Sequence, residues 1–581
     1  VLLSGNIDMV ARCGILSGRS DVHLYREKES TSDCSDRSCM GCGIGDERGY
    51  VYHMMKTISA LDSPDTTFHR VAFVSLIAGG VLLRIWAFQG YSDSDPRAYA
   101  VLANDLSGGI LHIPAYDGPP VFPLRLGVYG PTGALIKAFG LSEPVLAGYP
   151  FLVSIAGCLL AYGVGRVVFG PLAGLIAAGI VAWLPIDVTK ASVLQPDTIA
   201  AFWGNLGVFL ICLSFNSKTR SPRSTVWGLL SGLAFGISWL CKESVVFLVP
   251  FVLILITCLQ PSTPLKRRMA VLLSVGMGSL AVLVAETLFF YVTTGDPVFH
   301  LHSTERNYVQ CAAWFLDPSS PYFGWKEGGY ALALLKRLLV SGPRALLFSR
   351  SLGGLPAFAA VALVCAGIFR KRTFAMPGLW FVTLVLMFNF MTSSFRAYRP
   401  LPLLSHYLYP LLLPSGILVG GFLALLLTSG DDFSTRKVRV VGPSVFFGAF
   451  CVLIVPGLWG SLRSRPEEVE RVVASKLTQK DVVYADYRTA GSLVFFRNGS
   501  LSPRTATTIP YEDLSVEDMT SGAYVLVDRT MTEFLTRSYG YRRPGFVEAP
   551  PETWQDVWKG RNAVLYQVMD QREQGAAPHT E

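Results

Sequence analysis

The chain has 581 residues, 51% apolar and only 16% charged, with a formal net charge of +8. Soluble domains hold about a quarter charged residues, so this depletion argues against an ordinary soluble enzyme, and apolar residues gathered in blocks point to a helical protein that crosses a membrane several times. The basic residues sit in short clusters between those blocks, which reads as topology signals and not as a nucleic-acid footprint.

Residues 1–53 lack apolar periodicity and the apolar core of a signal peptide. Four of the eleven cysteines, Cys13, Cys34, Cys39 and Cys42, lie there. A metal site normally needs a second matching pair beside a lone C-x-x-C, so none is expected from Cys39 and Cys42. Residues 1–66 are expected to be a disordered extension, with Met54-Met55-Lys56 a natural start for the membrane protein. The other seven cysteines, from Cys158 to Cys451, fall in or beside apolar segments and read as small core residues.

Eleven spans are expected, at 68–88, 145–168, 171–187, 197–215, 225–240, 244–259, 269–293, 352–369, 374–392, 403–428 and 440–460. The segments 225–240 and 244–259 are short at sixteen residues each, and only Cys241-Lys242-Glu243 separates them. With eleven spans, four basic loops (Lys218/Arg220/Arg223, Lys266/Arg267/Arg268, Arg370/Lys371/Arg372 and Arg436/Lys437/Arg439) share one side with 4 × 3 = 12 cations. The short loops opposite hold four: Lys190, Lys242, Arg396 and Arg399. Merging the two short spans would move the first cluster away from the other three, so the positive-inside rule favours a hairpin tipped by Lys242-Glu243. It also puts the N-terminus in the cytoplasm and the C-terminus outside.

The long loops 89–144 and 294–351 then face outward, as does everything after residue 460. Residues 461–570 are more polar, with strand-like runs at 481–486, 492–496, 523–528 and 563–568 and helix-like stretches "VERVVASKL" and "RTMTEFLTRSY" between them. That alternation predicts a small α/β domain, and residues 571–581 a flexible tail. Asn498-Gly-Ser500 fits the N-glycosylation triplet, which matters only in a eukaryotic secretory membrane. Residues 67–460 show no internal repeat of the kind secondary transporters carry.

Directly after the first span comes "YSDSDPRAYA", placing Asp93 and Asp95 at the membrane surface. The plain reading is a helix end in headgroup water. Yet the same face collects Asp197, Lys242-Glu243, Arg396 and Arg399. One carboxylate can act as general base towards an acceptor hydroxyl, while the cations stabilise a departing phosphate whose lipid tail stays in the bilayer. A structural ion-pair network has the same inventory.

Several motifs carry a family resemblance. Asp95-Pro-Arg-Ala-Tyr99 matches an acid-then-aromatic pattern following the first span, and a Gly/Pro-rich stretch, "GGILHIPAYDGPPVFPLRLGVYGPTGALIKAFG", comes after it. "GISWLCKESVVFLVP", "TGDPVFHLHSTERNY" and "SHYLYPLLLP" follow in order. This layout, over most of residues 68–428, resembles the GT-C glycosyltransferases, specifically the protein O-mannosyltransferase-like group that includes the lipid A aminoarabinose transferases. Pro96 stands where that group often has a second acid, and His406 where it has Arg; a neutral His is no permanent cation.

The resemblance implies a GT-C-like α-helical multi-pass membrane protein with a small C-terminal α/β extracytoplasmic domain. It implies transfer of a sugar from a polyprenyl-phosphate donor to a lipid, glycan or protein hydroxyl, with inversion. Asp95 is the expected base, with Asp93 able to share that work. Asp197 is the second carboxylate or, on the plain reading, a helix N-cap. Lys242 is the expected contact for the donor phosphate or, plainly, a lone interfacial cation, with Arg396 and Arg399 as weaker phosphate contacts. Tyr99, Arg125, Glu243, His406 and Tyr407 are supporting residues. No metal ligand is assigned and no cofactor is required, although a divalent cation is left open; His300 and His302 read as surface or acceptor-groove residues. The rival classes are a transporter or lipid flippase, an oligosaccharide ligase or polymerase on the same fold, and a non-catalytic scaffold. A bacterial inner membrane is the expected location.

Overall fold

The computed structural model describes residues 67–569 except 92–94, 112, 114–120, 217–222, 260–262, 317–328, 393–397, 399, 402, 429–447, 449–467, 502–504, 512–513, 540–542 and 561. The expectations for residues 1–66, for the eleventh span and for the tail lie outside the described residues, as do Asp93, Arg396 and Arg399.

The membrane part is a helix bundle. Its first helices are α1 (Thr67–Trp86), α2 (Asp95–Ser107), α3 (Leu126–Phe139), α4 (Glu143–Phe169), α5 (Pro171–Trp183), α6 (Pro185–Lys190), α7 (Pro196–Asn216) and α8 (Arg223–Cys241). A 3-10 helix, Glu243–Leu248, leads into α9 (Val249–Thr257), followed by α10 (Leu265–Thr294), α11 (Phe299–Leu316), α12 (Gly329–Lys336) and α13 (Gly342–Leu347). Then come α14 (Leu355–Ile368), α15 (Ala375–Phe390) and, after a 3-10 helix at Ser405–Leu411, α16 (Leu412–Thr428).

Among the described residues, seven helices are long and apolar enough to cross a membrane, and Pro171–Trp183, Glu243–Thr257 and Leu355–Ile368 are shorter apolar helices. These ten correspond to the first ten expected spans. The third is cut short at Trp183, because Pro185 forces Leu184 into an extended conformation (φ −71°, ψ 125°) and opens the separate α6. Helices α8 and α9 are distinct, with Lys242 extended between them.

Packing follows membrane rules. A Cβ on Gly232 of α8 would lie 2.1 Å from the Val275 carbonyl of α10, and one on Gly278 would lie 2.3 Å from that of Leu229. Only glycine lets these two backbones approach so closely. The outer side of α10 leaves Leu273, Met277, Leu280 and Leu288 exposed, as a lipid-facing helix does. Charge is also buried inside: Arg84, 1% exposed, pairs with Asp187 and donates to Ser154 Oγ (2.8 Å) and the Gly80 and Ala182 carbonyls (both 2.9 Å). Every arm is satisfied, which is the condition for keeping a guanidinium in such a place.

The C-terminal domain has β1 (Val483–Ala485), β2 (Thr508–Pro510), β3 (Tyr524–Asp528), β4 (Trp554–Lys559) and β5 (Ala563–Val568) in the order β2-β1-β3-β5-β4. The first three strands in that order are parallel, and β3, β5 and β4 pair antiparallel. Around them lie α17 (Glu468–Lys476), α18 (Tyr487–Asn498), α19 (Arg529–Tyr539) and the short α20 (Gly545–Glu548).

Residues 492–496, expected as a strand, belong to α18. Asp486 caps that helix by accepting from the Arg488 and Thr489 amides, and Gly499 (φ 62°) ends it. The cap, and not the apolar run, sets the backbone there. Strands β2 and β4 are not among the expected runs. One is three residues ending in proline at a sheet edge, and the other is an edge strand whose middle is exposed.

Candidate active site

The site is assembled from helix ends. Pro196 opens α7 and puts Asp197 in its first turn, while α8 stops at Cys241 and hands Lys242 and Glu243 to the joint with α9. His406 and Tyr407 lie in the 3-10 turn before α16. Asp95 opens α2, exposed, and Tyr99 one turn later is fully buried. Arg125 immediately precedes α3.

Lys242 forms an ion pair with Asp197, and its Nζ lies 3.5 Å from the centre of the Tyr407 ring. Arg125 donates to the Tyr99 hydroxyl, and its other arm is 3.9 Å from Glu243 Oε2. His300, at the start of α11, bonds Glu286 through Nδ1 at 2.7 Å and points Nε2 at Glu243 from 3.7 Å. Its ring stacks on Trp239 at 4.5 Å, and the Trp239 indole donates to the second Glu286 oxygen at 2.7 Å. A continuous polar chain therefore runs from Tyr99 through Arg125, Glu243 and His300 to Glu286.

The fields are strong. Burial, together with the nearby Asp95 and Asp197 charges, pushes the Tyr99 phenol well up against the opposing pull of Arg125. Burial opposes the Arg125 charge, but Tyr99, Glu243, Asp197 and Tyr407 outweigh it and raise that group further. Burial likewise opposes charge on His300, yet the Glu243 and Glu286 carboxylates overcome it and raise the imidazole to about 9. It is a cation at neutral pH.

The structure thus brings together Asp95, Tyr99, Arg125, Asp197, Lys242, Glu243 and Tyr407, and sets His406 within electrostatic range of Asp197, Lys242, Lys190 and Asp95. Three of the alternative readings are corrected. Lys242 is no lone interfacial cation: it is 9% exposed and ion-paired. Asp197 is one residue inside its helix and holds that lysine, which an N-cap reading does not supply. His300 is no surface residue, being 7% exposed between two carboxylates, whereas His302 does lie at the surface against Asp296 at 2.7 Å.

Sequence reasoning missed Glu286 and Trp239. The signal was present, because Glu286 is a single carboxylate inside an apolar run and such a residue is functional or paired by default. Among the described residues no group of three or more His, Cys, Asp or Glu side chains is arranged to hold a metal ion.

The helix bundle and the appended α/β domain make a fold shared with a solved membrane enzyme. The structure is similar to the Archaeoglobus fulgidus oligosaccharyltransferase in the apo form, at TM-score 0.53 and 12% identity over 87% of this chain and 75% of that one. It is also similar to ArnT from Cupriavidus metallidurans in the apo state, at TM-score 0.46 and 16% identity over 85% and 97% of the two chains. Residues 132–290 match the family model described as Dolichyl-phosphate-mannose-protein mannosyltransferase. That stretch contains Asp197, Trp239, Lys242, Glu243 and Glu286 and begins after Asp95. No curated protein matches the chain in sequence.

Proposed function

We propose that the chain is a membrane glycosyltransferase moving a sugar from a polyprenyl-phosphate donor to an acceptor hydroxyl, with inversion at the anomeric carbon. One observation carries the reading: the exposed carboxylate of Asp95 and the buried Asp197–Lys242 ion pair lie within electrostatic range of the same His406, in a fold shared with an oligosaccharyltransferase. The description of the matching family, with its dolichyl-phosphate mannose, supports a lipid-phosphate donor and makes a hexose the first sugar to try.

In this reading Asp95 accepts the proton of the acceptor hydroxyl as its oxygen attacks the anomeric carbon. The bond from that carbon to the phosphate oxygen breaks, and polyprenyl phosphate leaves with the electron pair. Lys242 has three N–H groups, of which Asp197 takes one, so the ammonium can also reach a phosphate oxygen. Arg125, fixed on Tyr99, keeps a second cation close by. Arg396 and Arg399 are proposed as further phosphate contacts and Asp93 as a second acid of the loop. Holding donor and acceptor in register supplies much of the acceleration.

The charges gather at helix ends beside a soluble domain, which favours an enzyme over a transporter. The basic clusters support a cytoplasmic N-terminus, with the site and C-terminal domain on the extracytoplasmic face of a bacterial inner membrane.

The test is release of polyprenyl phosphate from a panel of radiolabelled polyprenyl-phosphate sugars by membranes carrying the wild type, Asp95→Asn or Asp93→Asn. Acceptor-dependent release by the wild type, lost in Asp95→Asn, supports the assignment. Undiminished release by Asp95→Asn removes that residue from the chemistry.

A further inference from the structure

The geometry points to Arg471, in the C-terminal domain, as a positioning residue that moors the segment Gln89–Tyr91 to the bundle and so fixes where α2 presents Asp95. The inference rests on the reading of Asp95 as the base.

Three residues ahead of α2 are tied on every side. The Gln89 amide donates to Ser192 Oγ at 2.8 Å, and the Tyr91 amide donates to Glu143 Oε1 at 2.8 Å. Between them Gly90 adopts φ 73°, and a Cβ there would lie 2.0 Å from the same Glu143 oxygen, so the segment is pressed onto that carboxylate. Arg471 closes the arrangement. Its guanidinium grips both Glu143 oxygens, one of them at 2.7 Å, donates to the Gln89 carbonyl at 3.1 Å, and lies 4.4 Å over the Phe496 ring.

The neighbouring helix of the same domain adds an apolar hold. The Tyr91 ring stacks on Phe495 at 4.0 Å and meets Phe496 edge-on at 5.9 Å. Tyr91, Phe495 and Leu501 share one apolar cluster with Tyr99, Ala100 and Ala103 of α2. These contacts concentrate on the few residues next to Asp95. A bidentate arginine fixes direction as well as distance, which a point charge does not. Without it, Glu143 keeps the Tyr91 amide but loses its counter-charge, and the Gln89 carbonyl loses this donor.

The experiment uses the purified full-length protein, with hydrogen exchange of the segment 89–100 and turnover of a polyprenyl-phosphate sugar measured on the same samples. Arg471→Ala is expected to raise exchange in that segment about tenfold and to lower kcat about tenfold, with donor KM within about twofold. Arg471→Lys restores part of kcat. Phe495→Ala, which keeps the ion pair and removes the stacking, shows the same signature in smaller measure and serves should Arg471→Ala not fold. Unchanged exchange in both variants, unchanged kcat, or an effect confined to KM overturns the inference. Asp95→Asn is the separate control: it is expected to abolish turnover without altering exchange, so its retained turnover would sink the base assignment and not the mooring.

Discussion

Lys242 and Asp197, 45 residues apart, form an ion pair at the end of the helix bundle, with both side chains at most 10% exposed. Breaking such a pair from one side costs about 3 to 5 kcal/mol, because it strands a buried charge. Replacing both partners by neutral groups costs far less. Lys242→Met is therefore expected to lower thermal stability and abolish turnover together. The double variant Lys242→Met/Asp197→Asn is expected to recover the melting temperature and remain inactive. A double variant that regains turnover would show that the lysine serves only the fold.

His300 carries a pH prediction. Its imidazole is raised from 6.5 to about 9, so its charged form stabilises the folded state fully below pH 6.5, and that contribution is lost as pH rises through about 9. The difference corresponds to at most about 3 kcal/mol. Thermal unfolding of the wild type is expected to weaken across that window, and His300→Gln to flatten the dependence. Equal slopes for the two proteins would mean that the imidazole is neutral in the fold.

Asp486 shows the same sign of pH dependence, for a different reason and in a more acidic window. Burial, with a contribution from Asp528, raises its carboxyl from 3.8 to about 6, despite hydrogen bonds from Thr489 and the helix amides. An acid raised by folding binds its proton more tightly in the native state, so stability falls as pH rises from 3.8 through about 6. Asn caps a helix as well as Asp does. Asp486→Asn should therefore stabilise the C-terminal domain by up to about 3 kcal/mol near neutral pH and by little below about pH 4. Hydrogen exchange of the α18 amides at both pH values reads this out, and a stabilisation independent of pH would contradict the assignment.

Much of the protein was legible because the deciding interactions are local. Twenty-residue apolar blocks and prolines at helix starts speak through composition and short spacing, so ten apolar helices and the break at Lys242 could be placed from sequence. Local rules also marked the errors: without weighing the Asp486 cap, the apolar run 492–496 reads as a strand. The candidate site residues were visible too, since Asp95, Asp197 and Lys242 stand out as charges at the edges of apolar blocks.

What they touch was not visible. Arg471 meets Glu143 across 328 residues, Arg84 meets Asp187 across 103, and His300 finds Glu286 on the opposite side of a helix joint. Sequence alone determined that this is a multi-span membrane protein with charges standing at the edges of its apolar blocks. The tertiary structure decided which of those charges are paired, because burial removes competing water and makes a partner obligatory, and which chain segment supplies that partner depends on the packed bundle.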